Sequence, residues 1–464
     1  MIKNIKKAVT EYWYVIVWVV LLSVVSVSLM LNNSVWLDEA YSMNWTSYAW
    51  GDMMQRLIVD VHPPLFYILL KIAKIFTPHS LVAAKIFIIV GFALTLGSGA
   101  IVLKKRCGIG AMFTYTLFLF SIPMIPIKTV EIRMYTWGMA FTVLSAIFMY
   151  KLMEQEKKEK ADWICFVVFS LCAAYTHYYA LLCMVFLYPL LLIFFVIKKD
   201  YKSVKGWGIA AVATVIGYLP WLPIALRQIA AVNGDYWIEE KGIVAYLKDI
   251  FRHELFPHST KVYLLILAAS GIWLLYKFIK KKDAKHYMGL TCIVPFFGIL
   301  AFGVIYGKLV RPIMVDRYLI FAVTLLAVGV AISVSDWKWY VTLLVCVFCA
   351  AMLIINYPLA YDREYNTNTD ATLEYIEEEG FADGVIVTNE ACLVSVVSYY
   401  YPECDSRMFD GIADIPAEAE KVLFLNTKDF VEQNMELFED YSIEICPGYG
   451  LDNTDFEIVV LKRK

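Results

Sequence analysis

The chain has 464 residues, of which 60% are hydrophobic and 18% charged, and its mean hydropathy is +0.62. Soluble domains are about half apolar and a quarter charged, so this is the composition of a protein embedded in a bilayer. The net charge of −2 and the short basic clusters, each bordering an apolar run, argue against a nucleic-acid partner.

In chain order, Lys3, Lys6 and Lys7 precede an apolar run from Trp13 to Leu31. The run is longer than a signal-peptide core and no small-x-small cleavage site follows it, so it reads as a retained anchor with its basic flank in the cytoplasm. Further runs fall at 81–103, 109–125, 135–153, 162–179, 180–197, 207–225, 261–279, 288–306, 318–335 and 339–358. About eleven transmembrane helices are therefore predicted. The basic clusters Lys104-Lys105-Arg106, Lys157-Lys158, Lys198-Lys199 and Lys280-Lys281-Lys282 all land on the cytoplasmic side of this map. Leu65–Phe76 is apolar but short, carries Lys71 and Lys74, and follows Pro63-Pro64. Counting it as a span breaks the charge pattern, so it is predicted to lie along the outer interface.

Ten cysteines do not make this a disulfide scaffold. Most lie in or beside apolar runs, where they act as small hydrophobes, and only Cys392, Cys404 and Cys446 fall in a soluble-looking region. Whether Cys404 and Cys446 pair is open.

Most remaining polar character collects in four outer loops. The first, 32–80, holds Asp38, Glu39, Asp52, Asp60 and His62; the second holds Lys128, Glu131 and Arg133. The third contains Asn233-Gly234-Asp235-Tyr236-Trp237 and Arg252-His253-Glu254, and the fourth Arg311, Asp316 and Arg317. Residues 362–464 change character: Asp370–Gly380 reads as a helix, and 384–388, 422–425 and 456–461 read as strands. The predicted architecture is thus a polytopic α-helical membrane domain, 1–361, with its catalytic first outer loop at 32–80, and a small extracytoplasmic α/β domain, 362–464.

Each polar group has a structural reading and a chemical one. Asp38 and Glu39 are either solvated loop residues or a carboxylate pair at the membrane surface, and Trp36, Tyr41, Trp45, Asp60 and His62 are the company that favours chemistry. Glu131, Arg133 and Tyr135 either anchor a span or grip a phosphate, which a guanidinium does with two parallel hydrogen bonds. His177 stands in a tight turn between spans. Arg311, Arg317 and Tyr318 stand at the outer surface, where arginine runs against the charge rule and suits an anionic lipid head group. With no phosphate-binding glycine loop and short cytoplasmic loops, a lipid-borne substrate fits better than a soluble nucleotide.

Taken together, Trp36-Leu37-Asp38-Glu39-Ala40, His62-Pro63-Pro64-Leu65, Glu131-Ile132-Arg133-Met134-Tyr135, Thr176-His177-Tyr178-Tyr179, Leu219-Pro220-Trp221-Leu222-Pro223 and Asp316-Arg317-Tyr318-Leu319 resemble, in order, the glycosyltransferase-C superfamily. The similarity is to its branch of protein O-mannosyltransferases and aminoarabinose transferases, over roughly 10–335. The resemblance implies a GT-C fold and transfer of a sugar, usually with inversion, from a polyprenyl-phosphate donor to an extracytoplasmic acceptor. It implies Asp38 as base or metal-linked carboxylate with Glu39 in support. It places Asp60, His62, Glu131, Arg133, Tyr135, His177, Arg311, Arg317 and Tyr318 around the substrates. No cofactor is required by it; a divalent metal ion is left open, with Asp38, Glu39 and His62 as donors. The alternative is a lipid or glycolipid transporter, which calls for charges inside the spans and paired repeats.

Overall fold

The computed structural model describes every residue except Met1, Asn33, 232–237, 410–413, 417–418 and 452–453, so the expected Asn233–Trp237 motif lies outside the described residues. Helix α1 (Ile2–Leu29) leads into three helices of the first loop: α2 (Leu37–Trp45), α3 (Trp50–Val59) and α4 (Leu65–Ala73). The bundle continues with α5 (Leu81–Cys107), α6 (Ile109–Phe120), the short α7 (Ile125–Lys128), α8 (Tyr135–Glu154), α9 (Lys160–Thr176) and α10 (Tyr178–Ile197). Then come α11 (Tyr201–Tyr218), α12 (Leu222–Ala231), α13 (Ile243–Phe251), α14 (Ser259–Lys281), α15 (Ala284–Leu309), α16 (Ile320–Val334) and α17 (Trp339–Tyr365).

Helices occupy all eleven expected apolar positions, and eight of them are long and apolar enough to cross a membrane. The other three differ for local reasons. Helix α6 has only 12 residues and gives way to a turn at Ser121 and Pro123, and α9 has 17. Helices α11 and α12 are bent by 62° at a break containing Pro220, and count as a ninth span if taken together. Helix α4 is half-buried, with Phe66, Tyr67 and Leu70 inward while Ile72, and Ile75 and Phe76 in the turn just past its end, are exposed. That is the amphipathic form expected of an interfacial helix.

Every residue of α16 is buried, so it forms the centre of the bundle. Glycines let its neighbours approach: a Cβ on Gly138 of α8 would lie 2.3 Å from the Phe321 ring of α16. The basic clusters gather at one end. The Lys104 amine lies 4.6 Å over Tyr12, Arg106 pairs with Glu154, and Lys198 Nζ donates to the Lys282 carbonyl. Tyr12 and the end of α1 at Leu29 are roughly 25 Å apart at 1.5 Å per residue, so this end is opposite the one bearing Asp38.

Helix α17 runs past position 361 into the second domain. There α18 (Thr369–Glu378), β1 (Val385–Thr388), α19 (Ala391–Tyr400), β2 (Asp405–Met408), β3 (Lys421–Leu425), α20 (Lys428–Gln433), β4 (Tyr441–Leu451) and β5 (Thr454–Arg463) form a five-stranded sheet with α18 and α19 on one face and α20 on the other. The strand order is β2-β1-β3-β5-β4, with β1 parallel to β2 and β3, and β5 antiparallel to β3 and β4. The expected helix and three strands are present. Strand β2 had no sequence signal because Asp405-Ser406-Arg407-Met408 is an edge with no apolar alternation. All ten cysteines, Cys404 and Cys446 included, are free thiols.

This domain docks on the first loop through α19. Asn44 of α2 donates to the Ser395 carbonyl (2.9 Å), and the Val35 amide donates to the Tyr400 hydroxyl (3.0 Å). Val35 and Ala40 share an apolar cluster with Leu393, Val396 and Val397. Helix α2 is therefore fixed between the bundle and the sheet domain.

Gly138→Val is expected to overpack the α8–α16 contact, at a cost of about 1–3 kcal/mol, and to lower the unfolding temperature of the detergent-solubilised protein. Gly97→Ala, where a Cβ meets nothing within 4 Å, is expected to leave it unchanged or slightly higher.

Candidate active site

The capping of α2 decides which of its two acidic residues faces open space. Glu39 is the third residue of the helix and turns back: its Oε2 accepts from the Trp36 amide (2.9 Å) and its Oε1 from the Ile132 amide (2.8 Å). This is capping-box geometry extended to a second loop, since Ile132 precedes Arg133. Glu39 is buried, which raises its carboxyl above the ordinary value despite Lys85 and the two amides. Asp38, one residue earlier, projects into a cavity of about 780 Å³ with Tyr41, Tyr67, Arg133, Tyr135 and Arg317.

Asp38 Oδ2 lies 3.8 Å from Arg133 Nε and 3.9 Å from an Arg317 terminal nitrogen. Burial pushes the Asp38 carboxyl up, but the Arg133 and Arg317 charges outweigh it and hold the group below its ordinary value. It is ionised at neutral pH.

Arg133 is the hub. It is 3% exposed, and its Nη1 reaches the Asp38 carbonyl (3.2 Å), the Ser42 hydroxyl (3.4 Å) and the Tyr67 hydroxyl (3.3 Å). Its Nη2 donates to His62 Nε2 (3.1 Å). Because a guanidinium only donates, His62 must carry its proton on Nδ1, which then donates to Asp60 (2.8 Å). Burial raises the Asp60 carboxyl, and the hydrogen bond from His62, with the Val61 amide and the Arg133 charge, more than reverses that and leaves it below its ordinary value. One guanidinium thus ties α2, α4 and the His-Pro-Pro turn together.

A second, mostly apolar pocket of about 280 Å³ shares His62 and Tyr318 with the first as lining residues and is also lined by His177, Arg311, Phe302 and Tyr306. His177 is the single extended residue between α9 and α10, and its Nδ1 accepts from the Tyr179 amide (3.0 Å). Its ring lies 4.8 Å from Phe321 and 5.1 Å from Tyr318. Burial, with His62 and both arginines nearby, holds its pKa well below the ordinary histidine value. Arg311 donates to the Ile229 carbonyl beside this pocket.

Of the residues singled out in the sequence, Asp38, Asp60, His62, Arg133, Tyr135, Arg317 and Tyr318 line the large cavity, and His177 and Arg311 line its apolar neighbour. Glu39 and Glu131 do not reach the large cavity. Glu131 is buried in a pair with Lys128, whose amine sits 4.9 Å over Trp36 and 5.4 Å over Tyr135. Tyr67, Gln55 and Arg56 line the cavity without having been predicted. Tyr67 had a signal: it stands in the first turn after Pro64, on the helix that His62 opens.

Asp38, Glu39 and His62 do not make a metal's donor set. Asp38 faces two guanidiniums, Glu39 is spent on backbone amides, and both His62 nitrogens are engaged. Among the described residues no three His, Cys, Asp or Glu side chains converge as metal ligands. The positive charge facing Asp38 comes from arginine.

No protein-family model matches this sequence. No curated protein sequence matches it. Solved structures do. The chain superimposes on ArnT from Cupriavidus metallidurans in the apo state with a TM-score of 0.68 at 11% identity, covering 98% of each chain. ArnT bound to undecaprenyl phosphate gives 0.64 at 10% identity, with 96% of this chain and 97% of that one covered. The Archaeoglobus fulgidus oligosaccharyltransferase gives 0.53 at 12% identity over 96% of this chain and 75% of the other. The chain has the fold that these structures share. The match to ArnT includes the sheet domain, since it runs through nearly the whole of both chains.

The buried imidazoles set a pH dependence. Burial lowers the pKa of His177, and takes that of His253 to about 4, so the unfolded chain binds protons that the folded one refuses. Their contribution is present above the unfolded histidine value of about 6.5 and is lost as pH falls below it. Stability is expected to drop between pH 6.5 and 5, and His177→Gln to remove up to about 1.4 kcal/mol per pH unit from that slope. Thermal unfolding across this pH range reads it; an unchanged slope in the variant contradicts the assignment.

Proposed function

We propose that this protein is a membrane glycosyltransferase that moves a sugar from a polyprenyl-phosphate donor to an acceptor at the membrane surface, with inversion at the anomeric carbon. The observation that carries the reading is the Asp38 carboxylate set between two guanidiniums in a large cavity, beside an apolar pocket that shares His62 and Tyr318 as walls. A polyprenyl phosphate has the same two parts, an anionic head and an apolar tail. The shared fold supports the reading, and one of the matched ArnT structures holds undecaprenyl phosphate.

In this scheme the acceptor hydroxyl attacks the anomeric carbon as the bond to the donor phosphate oxygen breaks. Its proton passes to Asp38, and polyprenyl phosphate leaves as an anion. Arg317 meets the charge that develops on the leaving phosphate. Arg133, already committed to Asp38, Ser42, Tyr67 and His62, positions the carboxylate. A carboxylate with a lowered pKa is a weak base, but it is fully ionised at neutral pH. The attacking hydroxyl becomes acidic only as its bond to carbon forms, so a weak base in the right place suffices. Tyr41 and Trp45 supply faces for sugar rings. Glu39 acts by holding α2 against the Glu131–Arg133 loop.

The charge distribution supports an orientation with the basic end in the cytoplasm and the cavity and sheet domain outside. A transporter reading has less support, because the charged groups of the cavity cluster at one end of the bundle.

Asp38→Asn is expected to cut release of polyprenyl phosphate from a panel of polyprenyl-phosphate sugars by about 10²-fold or more, with protein yield and unfolding temperature retained. Release equal to wild type removes the assigned role of Asp38. Release from no donor by the wild type contradicts the transferase reading for that panel.

A further inference from the structure

A second site stands in the sheet domain. The chain runs from β1 through α19 to β2 on one side, then returns to place β3 on the other side of β1. The carboxyl ends of β1 and β3 therefore diverge at a topological switch point, the place where open α/β sheets bind ligands. A cavity of about 550 Å³ lies there, with Asn389 following β1 and Asn426 and Thr427 following β3.

The lining is polar and amide-rich, with Phe430 and Tyr449 as aromatic faces. Asn426 has φ +55°, a left-handed conformation that asparagine tolerates, and its Nδ2 donates to Glu390 Oε1 (2.7 Å). Thr427 is 2% exposed, and its hydroxyl has no hydrogen-bond partner among the described residues. An orphaned buried hydroxyl costs about 1–3 kcal/mol, and this one belongs to a residue that lines the cavity.

Charge narrows the ligand. Lys428 is paired with Glu457, which leaves the Asp429 carboxylate unbalanced at the rim. No glycine follows β1, where the sequence is Thr388-Asn389-Glu390. A phosphate would face the unbalanced Asp429 carboxylate. Amides, a hydroxyl and aromatic rings instead match the hydroxyls and C–H faces of a sugar.

We infer that the cavity at the ends of β1 and β3 binds a neutral saccharide, separately from the cavity at Asp38. Its position links it to the transferase domain: Asn368 lines the cavity, and the next residue, Thr369, hydrogen-bonds Ser34 in the segment leading to Asp38 (3.1 Å). The site thus suits the glycan part of an acceptor or product held near the transferase cavity, and binding itself does not depend on the transfer chemistry.

The test is saturation-transfer NMR on the full chain in detergent with neutral di- and trisaccharides of glucose, galactose, mannose and N-acetylhexosamine. Four proteins are compared: wild type, Thr427→Val, Asn389→Phe and Asp38→Asn. Thr427→Val keeps the side-chain shape and removes the orphaned hydroxyl, so its unfolding temperature is expected to hold or rise. The expected result is a saccharide bound by wild type and by Asp38→Asn, unaffected by added polyprenyl phosphate. Binding should be at least about ten-fold weaker in the folded Thr427→Val and Asn389→Phe variants, the scale of one or two lost hydrogen bonds. Binding that is lost in Asp38→Asn, or displaced by polyprenyl phosphate, places the sugar in the transferase cavity and overturns the proposal. So does equal binding by wild type and both sheet-domain variants, or no binding of any saccharide.

Discussion

The site depends on one arrangement: a carboxylate, Asp38, held within 4 Å of two guanidiniums at the end of a helical bundle. Two guanidiniums face this one carboxylate, while Asp52, Asp60 and Arg56 line the same cavity and bring its charges into balance. Much of the local architecture maintains that state. Arg133 is desolvated and must be satisfied, and it draws its partners from α2, α4 and the His62 turn. Asp60 fixes the His62 tautomer, which in turn lets His62 accept from Arg133. Glu39 pins the start of α2 to the loop that delivers Arg133. None of these groups needs to touch a substrate to matter.

The bundle around this cluster was largely legible in the sequence, because apolar run length and loop charge are strong signals in a membrane protein. Where the helices are shorter or bent relative to the apolar runs, the cause is local. Helix α6 stops after 12 residues at a turn that contains a proline, and the α11–α12 break concentrates two prolines in five residues. The first loop was expected to hold one interfacial helix, yet it holds three. Helices α2 and α3 are short and mixed in polarity, and are stabilised by what packs on them.

The site was legible at the level of which loops contribute. The division of labour within the Asp38-Glu39 pair was not. Adjacent residues on a helix point about 100° apart, and capping decides which one turns inward. The separation of Glu131, paired with Lys128, from Arg133, two residues on, likewise depends on how the loop folds back. Tyr67 stands at a position the sequence marks only by its place after Pro64, and it joins the cluster because α4 lies against Arg133. The sheet domain adds a constraint that no motif suggested: α19 clamps the outer face of α2, so a change in the sheet domain can reach Asp38 through one rigid helix.

If Asp38 and a donor phosphate share the same guanidiniums, removing the aspartate charge must separate binding from transfer. The decisive measurement is the affinity for polyprenyl phosphate of the wild type, Asp38→Asn and Arg317→Met, in detergent or nanodiscs. Asp38→Asn should bind as tightly as wild type or tighter, because a competing anion is gone. Arg317→Met should bind about ten-fold or more weakly, the loss of one charge-assisted contact. Weaker binding by Asp38→Asn together with unchanged binding by Arg317→Met would contradict the shared-guanidinium account.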